Sequence, residues 1–276
     1  MAYKTLLVHM TLGGDNAGVL GIAGQLAERF GAKVIGIAAA QPIQPMYNEG
    51  CSVVDLVSED RAEKDQELAD CAVQFRSALQ GRVSRLEWRS VITIDLLANY
   101  IAEQASCADL IITAKDPGAE FMDNSRHLAL GDLVLKAGRP VLVVPPGITA
   151  LPLQHVHIAW KDTREARRAA ADALPLLEAA GQAVVLQVAA ESGQAEAQAQ
   201  VKDVAGWLEQ HGVKAQPCVV VTGRSDVGAL HAALLERKCD LLVAGAYGHN
   251  RLGEWMFGGV TQDVLLDPGF CVLLAH

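Results

Sequence analysis

Aromatic side chains are scarce in this 276-residue chain, 5% of it, although 51% of the residues are hydrophobic. A core of that kind is built from Ala, Leu and Val, and it suits the buried aliphatic strands of an α/β protein. No CxxC pair and no metal-ligand spacing occurs among the six cysteines, Cys51, Cys71, Cys107, Cys218, Cys239 and Cys271. Cys107, Cys239 and Cys271 sit in or beside apolar runs, where a free thiol acts as a small core hydrophobe, and a reducing compartment is expected. No basic half or stripe exists: 18 acids and 13 bases precede Ala150, and 14 and 10 follow, within a net charge of −9. Nucleic acid and anionic membranes are therefore not expected as partners. The apolar run in MAYKTLLVHM is too short for a signal peptide, and no stretch is long enough to span a bilayer, so the cytoplasm is the expected location. No GxxxxGK[ST] loop is present. No Ser-His-Asp order or paired-carboxylate pattern stands out, so neither catalytic residues nor a metal site are expected.

What is present is alternation. The first half predicts strands at Thr5–Met10, Lys33–Ala39, Arg85–Ile92, Asp109–Thr113 and Pro140–Val144. Helices are expected near Asp15–Phe30, Glu59–Leu79, Asp95–Ser106 (capped by Asp95) and Ser125–Lys136. Gln41–Ser58, with Pro42, Pro45 and Gly50, reads as a long surface excursion. The second half predicts strands at Val156–Trp160, Ala183–Val188, Lys214–Val221, Asp240–Ala244 and Phe270–Leu274. Its helices are expected at Arg164–Ala179, Glu191–Gln210 and Asp226–Arg237, with a further apolar-periodic segment before Pro268. Ala108–Ile112 matches Cys239–Val243, and Pro140–Val144 matches Cys271–Ala275, both at an offset of 131. Two βαβ-type domains in tandem follow, 1–147 and 153–276, each a parallel sheet with helices on both faces.

One stretch concentrates glycine: Gly245 and Gly248 after an aliphatic strand, then Gly258 and Gly259 before a short helix. Glycines so placed let backbone N–H groups approach an anion closely. One reading is a nucleotide whose phosphates rest on Gly248 and on the N–H groups of Gly258, Gly259, Val260 and Thr261. The other is structural, with a strand end, a turn and a helix start against a crowded neighbour.

Gly245-x2-Gly248-x9-Gly258, with the phrases GAYGHNRLGEWMFGG, AWKDTREARRAAADALPLL and GRPVLVVPP, resembles the universal stress protein family, and in particular its tandem members. The resemblance spans essentially the whole chain. It implies two doubly wound five-stranded parallel sheets of strand order 3-2-1-4-5, in the adenine-nucleotide α-hydrolase-like superfamily. It also implies that the last strands of the two halves meet, an intramolecular pseudo-dimer compatible with a monomer or a homodimer. The family divides into members that bind ATP and members that do not. In the binders the second half of the motif is Gly followed by Ser or Thr; here Gly259 takes that place and Thr261 lies two residues on. Losing one hydrogen bond to a charged group costs about 1.5–3 kcal/mol, about ten- to a hundredfold in affinity. Lys161 stands where the family's nucleoside-contacting Asp ends the first strand, and Asp162 is one residue off, which reverses its direction in a strand. In the first half Thr113–Pro117 replaces the glycine loop, and His127 and Leu128 replace the glycine pair, so that half reads as degenerate. The HxGH signature of related nucleotidyl transferases is absent. The expectation is a non-enzymatic stress-response protein with a weak or remnant ATP or AMP site at Gly245–Thr261 and Lys161. A slow ATPase and a ligand-free interaction scaffold are the alternatives.

Among the remaining features, Gly18, Gly21 and Gly24 line one side of the first helix and predict close packing there. His155 and His157 share one face of a strand with no third ligand adjacent. His249, Trp160 and Trp255 are expected to border the glycine loop.

Overall fold

The computed structural model describes residues 2–43, 53–115, 125–223, 226–246 and 269–276. Two compact units are formed, Tyr3–Ala137 and Gly138–His276.

The first unit holds β1 (Thr5–His9), α1 (Ala17–Phe30), β2 (Lys33–Ala40), α2 (Val53–Leu79), β3 (Leu86–Ile92), α3 (Leu97–Gln104), β4 (Leu110–Ala114) and α4 (Leu130–Ala137). Its strands are parallel and run in the order β3-β2-β1-β4, with Leu6 opposite both Val34 and Leu110. Right-handed crossovers between parallel strands require helices on both faces. Accordingly β1, β2 and β4 are buried nearly throughout, whereas the outer strand β3 is half-buried.

The second unit begins with β5 (Val141–Val144) and continues with β6 (His155–Ala159), α5 (Arg164–Asp172), α6 (Leu174–Glu178), β7 (Gln182–Ala189), α7 (Gln194–Gln210), β8 (Ala215–Val221), α8 (Asp226–Glu236), β9 (Leu241–Gly245) and β10 (Cys271–Ala275). The strand order is β8-β7-β6-β9-β10-β5. Counted within the second half, that is the expected 3-2-1-4-5 order, all parallel, with β5 added antiparallel to β10 through Val143 opposite Val272. Pro217 lies in β8, the outermost strand, where a missing N–H costs no ladder bond on the open side.

The two halves use one device to fix their first strands. Asp109 Oδ2 accepts from the backbone N–H groups of Lys4 at 2.6 Å and Thr5 at 2.9 Å. Asp240 Oδ2 does the same for Gln154 at 2.6 Å and His155 at 2.8 Å. The acid leading each buried strand is thus a clamp on its neighbour, and it recurs at the offset of 131 that marks the repeat.

The structure corrects several local expectations. Helix α2 starts at Val53 rather than Glu59, so Val53–Ser58 is not part of a surface excursion; no Gly or Pro interrupts the chain between Gly50 and Gly81. Residues 44–52 of that stretch lie outside the described residues. Asp95 does not cap α3: the helix starts at Leu97 behind Leu96, and Asp95 N–H donates to Thr93 Oγ1 at 3.1 Å instead. The helix expected at Arg164–Ala179 divides at Ala173, because Pro175 has no N–H for Ala171 and its ring crowds that turn. Helix α4 starts at Leu130, since Ser125 and Arg126 tie back to Gln41 and Glu67 instead of entering the helix. Cys107 is exposed at the end of a short 3-10 turn, unlike Cys239 and Cys271, which are buried and whose thiols burial pushes up to about 12. A Cβ on Gly24 would lie 2.8 Å from the guanidinium of Arg82, a long, part-exposed side chain that pairs with Glu28 and can move aside. No described helix is long and apolar enough to cross a membrane.

Candidate functional site

In the second unit β6 leads leftward to β7 and β9 leads rightward to β10, so the sheet order reverses between β6 and β9. Ligands of open α/β sheets bind outside the carboxyl ends of strands at such a point. Ala159 pairs with Ala244, which places Gly245 and the residues following β6, Lys161 among them, at that point. Gly248, Gly258, Gly259, Val260 and Thr261, together with His249 and Trp255, lie outside the described residues.

Gly245 owes its identity to a helix. A Cβ there would sit 2.4 Å from Ala166 N and 2.5 Å from the Glu165 carbonyl carbon, so the first turn of α5 rests directly on the strand end. That turn is capped by Thr163, whose hydroxyl accepts from Ala166 N–H at 3.3 Å. Lys161 is exposed, and its carbonyl accepts from Thr163 N–H at 2.6 Å. Asp162 is engaged elsewhere: its Oδ1 accepts from Arg167 Nε at 3.0 Å and Nη2 at 2.8 Å.

Glu165 is the residue that sequence reasoning passed over. It lies in the first turn of α5, on the buried side, with its carboxylate 3.3 Å from Arg164. Burial alone would raise its pKa, but its own backbone N–H, the Thr163 hydroxyl, Arg164 and His276 outweigh burial and hold it below the usual carboxylate value. His276 joins the cluster through Nδ1 to Ala246 O at 3.0 Å. A carboxylate at a helix N-terminus is favourable to the helix dipole, and here it also sets a fixed negative charge beside the strand ends. The signal for it was periodic: Glu165, Ala166, Ala169 and Ala170 share the buried side of α5.

The equivalent point of the first unit lies between β1 and β4, where two buried polar side chains meet. His9 Nδ1 and Thr113 Oγ1 meet at 2.9 Å, both buried. The β1–α1 loop is closed by Asn16, whose Oδ1 accepts from Thr11 N–H at 2.9 Å and whose Nδ2 donates to Thr11 O at 3.0 Å. Leu128 is buried, and residues 116–124 lie outside the described residues.

Trp160, expected to border the glycine loop, follows β6, and the loop itself lies outside the described residues. Trp160 lines a cavity of about 420 Å³ between α5 and α7, with Arg167, Ala170, Asp203, Val204 and Trp207. His155 and His157 do share a face, but no set of three metal-binding side chains occurs among the described residues.

No family model matches the chain, and no curated protein does. Solved structures do. A universal stress protein from Archaeoglobus fulgidus superposes with a TM-score of 0.73 at 14% identity, covering 98% of this chain and 95% of that one. A putative universal stress protein from Pseudomonas aeruginosa gives 0.64 at 14% identity, with 99% and 93% covered. A functionally unknown protein from the same species gives 0.62 at 15% identity, with 99% and 92% covered. Through both of its units, this chain has the fold of the universal stress proteins.

Proposed function

We propose that the chain is a tandem universal stress protein that acts in the cytoplasm through association and catalyses no reaction. In this reading 1–147 and 153–276 are the two repeats. The second carries a weak adenine-nucleotide site for ATP or AMP at Gly245, Gly248, Gly258, Gly259, Val260, Thr261 and Lys161. The observation that carries it is the position of Gly245 and Lys161 at the order reversal between β6 and β9, where the glycine spacing of the sequence begins. The site is weak for three physical reasons. Gly245 serves α5 packing, Glu165 adds negative charge, and Asp162 is held by Arg167. Losing contacts worth about 100- to 1,000-fold in all takes a micromolar site to a Kd of about 0.1–1 mM.

Titration calorimetry of the full chain with ATP, ADP and AMP tests this. Saturable heat in that range, reduced by Gly248→Val, is expected. No heat from any of the three at millimolar concentration would overturn it and favour the second reading, a ligand-free scaffold. That reading draws on the same Glu165 charge and on the paired His9 and Thr113 at the equivalent point in the first unit. Sustained ADP release that Gly248→Val abolished would favour a slow ATPase instead.

A further inference from the structure

A separate cavity of about 330 Å³ opens in the second unit on one face of β6, β7 and β8, near their N-terminal ends; His155, His157, Gln182, Gln216, Cys218 and Arg237 line it. The register brings these residues together. His155 lies opposite Gln182, His157 opposite Val184, Val184 opposite Gln216, and Leu186 opposite Cys218, so alternate residues of three strands share this face. Arg237, the residue after α8, completes the wall.

His157 is 1% exposed, and neither ring nitrogen makes a well-formed hydrogen bond, the His155 backbone offering only a weak contact. A neutral imidazole has one donor and one acceptor to satisfy, and a buried polar group without a partner is an exception that calls for one. Arg237 is held only lightly. Its Nη1 donates to Ala233 O at 3.3 Å and pairs at 3.6 Å with the Glu236 carboxylate, which is largely in solvent, and its Nη2 reaches the Cys218 sulfur at 3.6 Å. Among the described residues no carboxylate lines the cavity, and the nearby Asp240 Oδ2 is taken by two backbone N–H groups. In a chain of net charge −9 this cavity carries a guanidinium and amide donors instead.

We propose that this cavity binds a small oxyanion, the phosphate or carboxylate group of a metabolite, with Arg237 as the counter-charge and the His157 ring as a hydrogen-bond donor on its floor. Guanidinium suits either group because its fork matches two oxygens. Burial first, then the Arg237 charge, hold His157 down to about 4, against smaller opposing pulls from the His155 backbone and from Asp240. The ring is therefore neutral near pH 7 and offers one N–H. The cavity lies toward the strand starts, away from Gly245, so its fate does not depend on the nucleotide site.

The test follows the histidine ring nitrogens of the ¹⁵N-labelled full chain by NMR while sodium phosphate, and separately sodium acetate, is added at constant ionic strength. A His157→Phe variant assigns the signals. Saturable shifts of His157 with either anion support the proposal, and the anion that saturates first names the group. Arg237→Gln should weaken the midpoint at least about tenfold, and Arg237→Lys, which keeps the charge and loses the fork, should fall between. Shifts that are absent or never saturate with both anions, or midpoints equal to wild type in both Arg237 variants, would overturn it.

Discussion

Replacing Gly245 by alanine adds one methyl group against the backbone of α5. At 2.4 Å from Ala166 N and 2.5 Å from the Glu165 carbonyl carbon, that methyl meets atoms that cannot rotate away. Ordinary contact needs about 3.5 Å, so the first turn of α5 has to retreat by about 1 Å. The retreat stretches the Thr163 cap, already 3.3 Å long, and disturbs the buried Glu165. Overpacking of this kind costs about 1–3 kcal/mol, and partial loss of a cap adds up to about 1 kcal/mol. A fall in Tm of about 5–10 °C is expected for a unit of this size. Thermal unfolding followed by circular dichroism, with no nucleotide present, measures it. Gly206→Ala, in α7 with no atom within 4 Å of the added carbon, is the control and should gain about 0.5–1 kcal/mol. If Gly245→Ala melts within about 1 °C of wild type, the strand end is not in contact with α5 and the structural account of this glycine is wrong.

Other consequences follow from the same geometry. Asp109→Ala and Asp240→Ala each strip two backbone N–H groups of a charged acceptor; each should cost about 1.5–3 kcal/mol in urea unfolding, and a neutral effect would refute the clamp. His157, held to about 4 in the fold against about 6.5 when unfolded, binds fewer protons folded than unfolded. Its contribution is complete above about pH 6.5 and is lost as pH falls through 4, by at most about 3 kcal/mol. His157→Phe should flatten that part of the stability profile, and an unchanged slope would show that the ring is not buried as described. Under native conditions alkylation should label Cys107 quickly and spare Cys239 and Cys271, as peptide mass spectrometry would read; early labelling of Cys271 would contradict its burial.

The repeat was legible because each domain's fourth strand begins with the same acid and continues in aliphatic residues. That acid's role as a clamp needs the neighbouring strand's N–H groups, which lie more than 80 residues away. Strand ends were placed well because buried parallel strands are short apolar runs with little room to slide. Helix starts were placed less well, since they depend on side chains that choose between capping and tertiary bonds, as Asp95 and Arg126 did. At the candidate site Gly245 was found for its spacing, yet its contact is with α5, which no spacing reveals. Glu165 stayed hidden in a run of charges because its burial depends on which side of α5 meets β9. The oxyanion cavity was invisible for the same reason: His157, Gln216 and Arg237 are far apart in sequence and are gathered only by strand register.

The central claim, weak nucleotide binding without turnover, is tested most directly by ³¹P NMR of millimolar ATP mixed with the full chain. The account predicts protein-dependent, saturable changes in the phosphate resonances, diminished by Gly248→Val, with no growth of ADP or inorganic phosphate above the protein-free control. ATP signals identical with and without protein, or steady conversion to ADP that Gly248→Val abolishes, would contradict it.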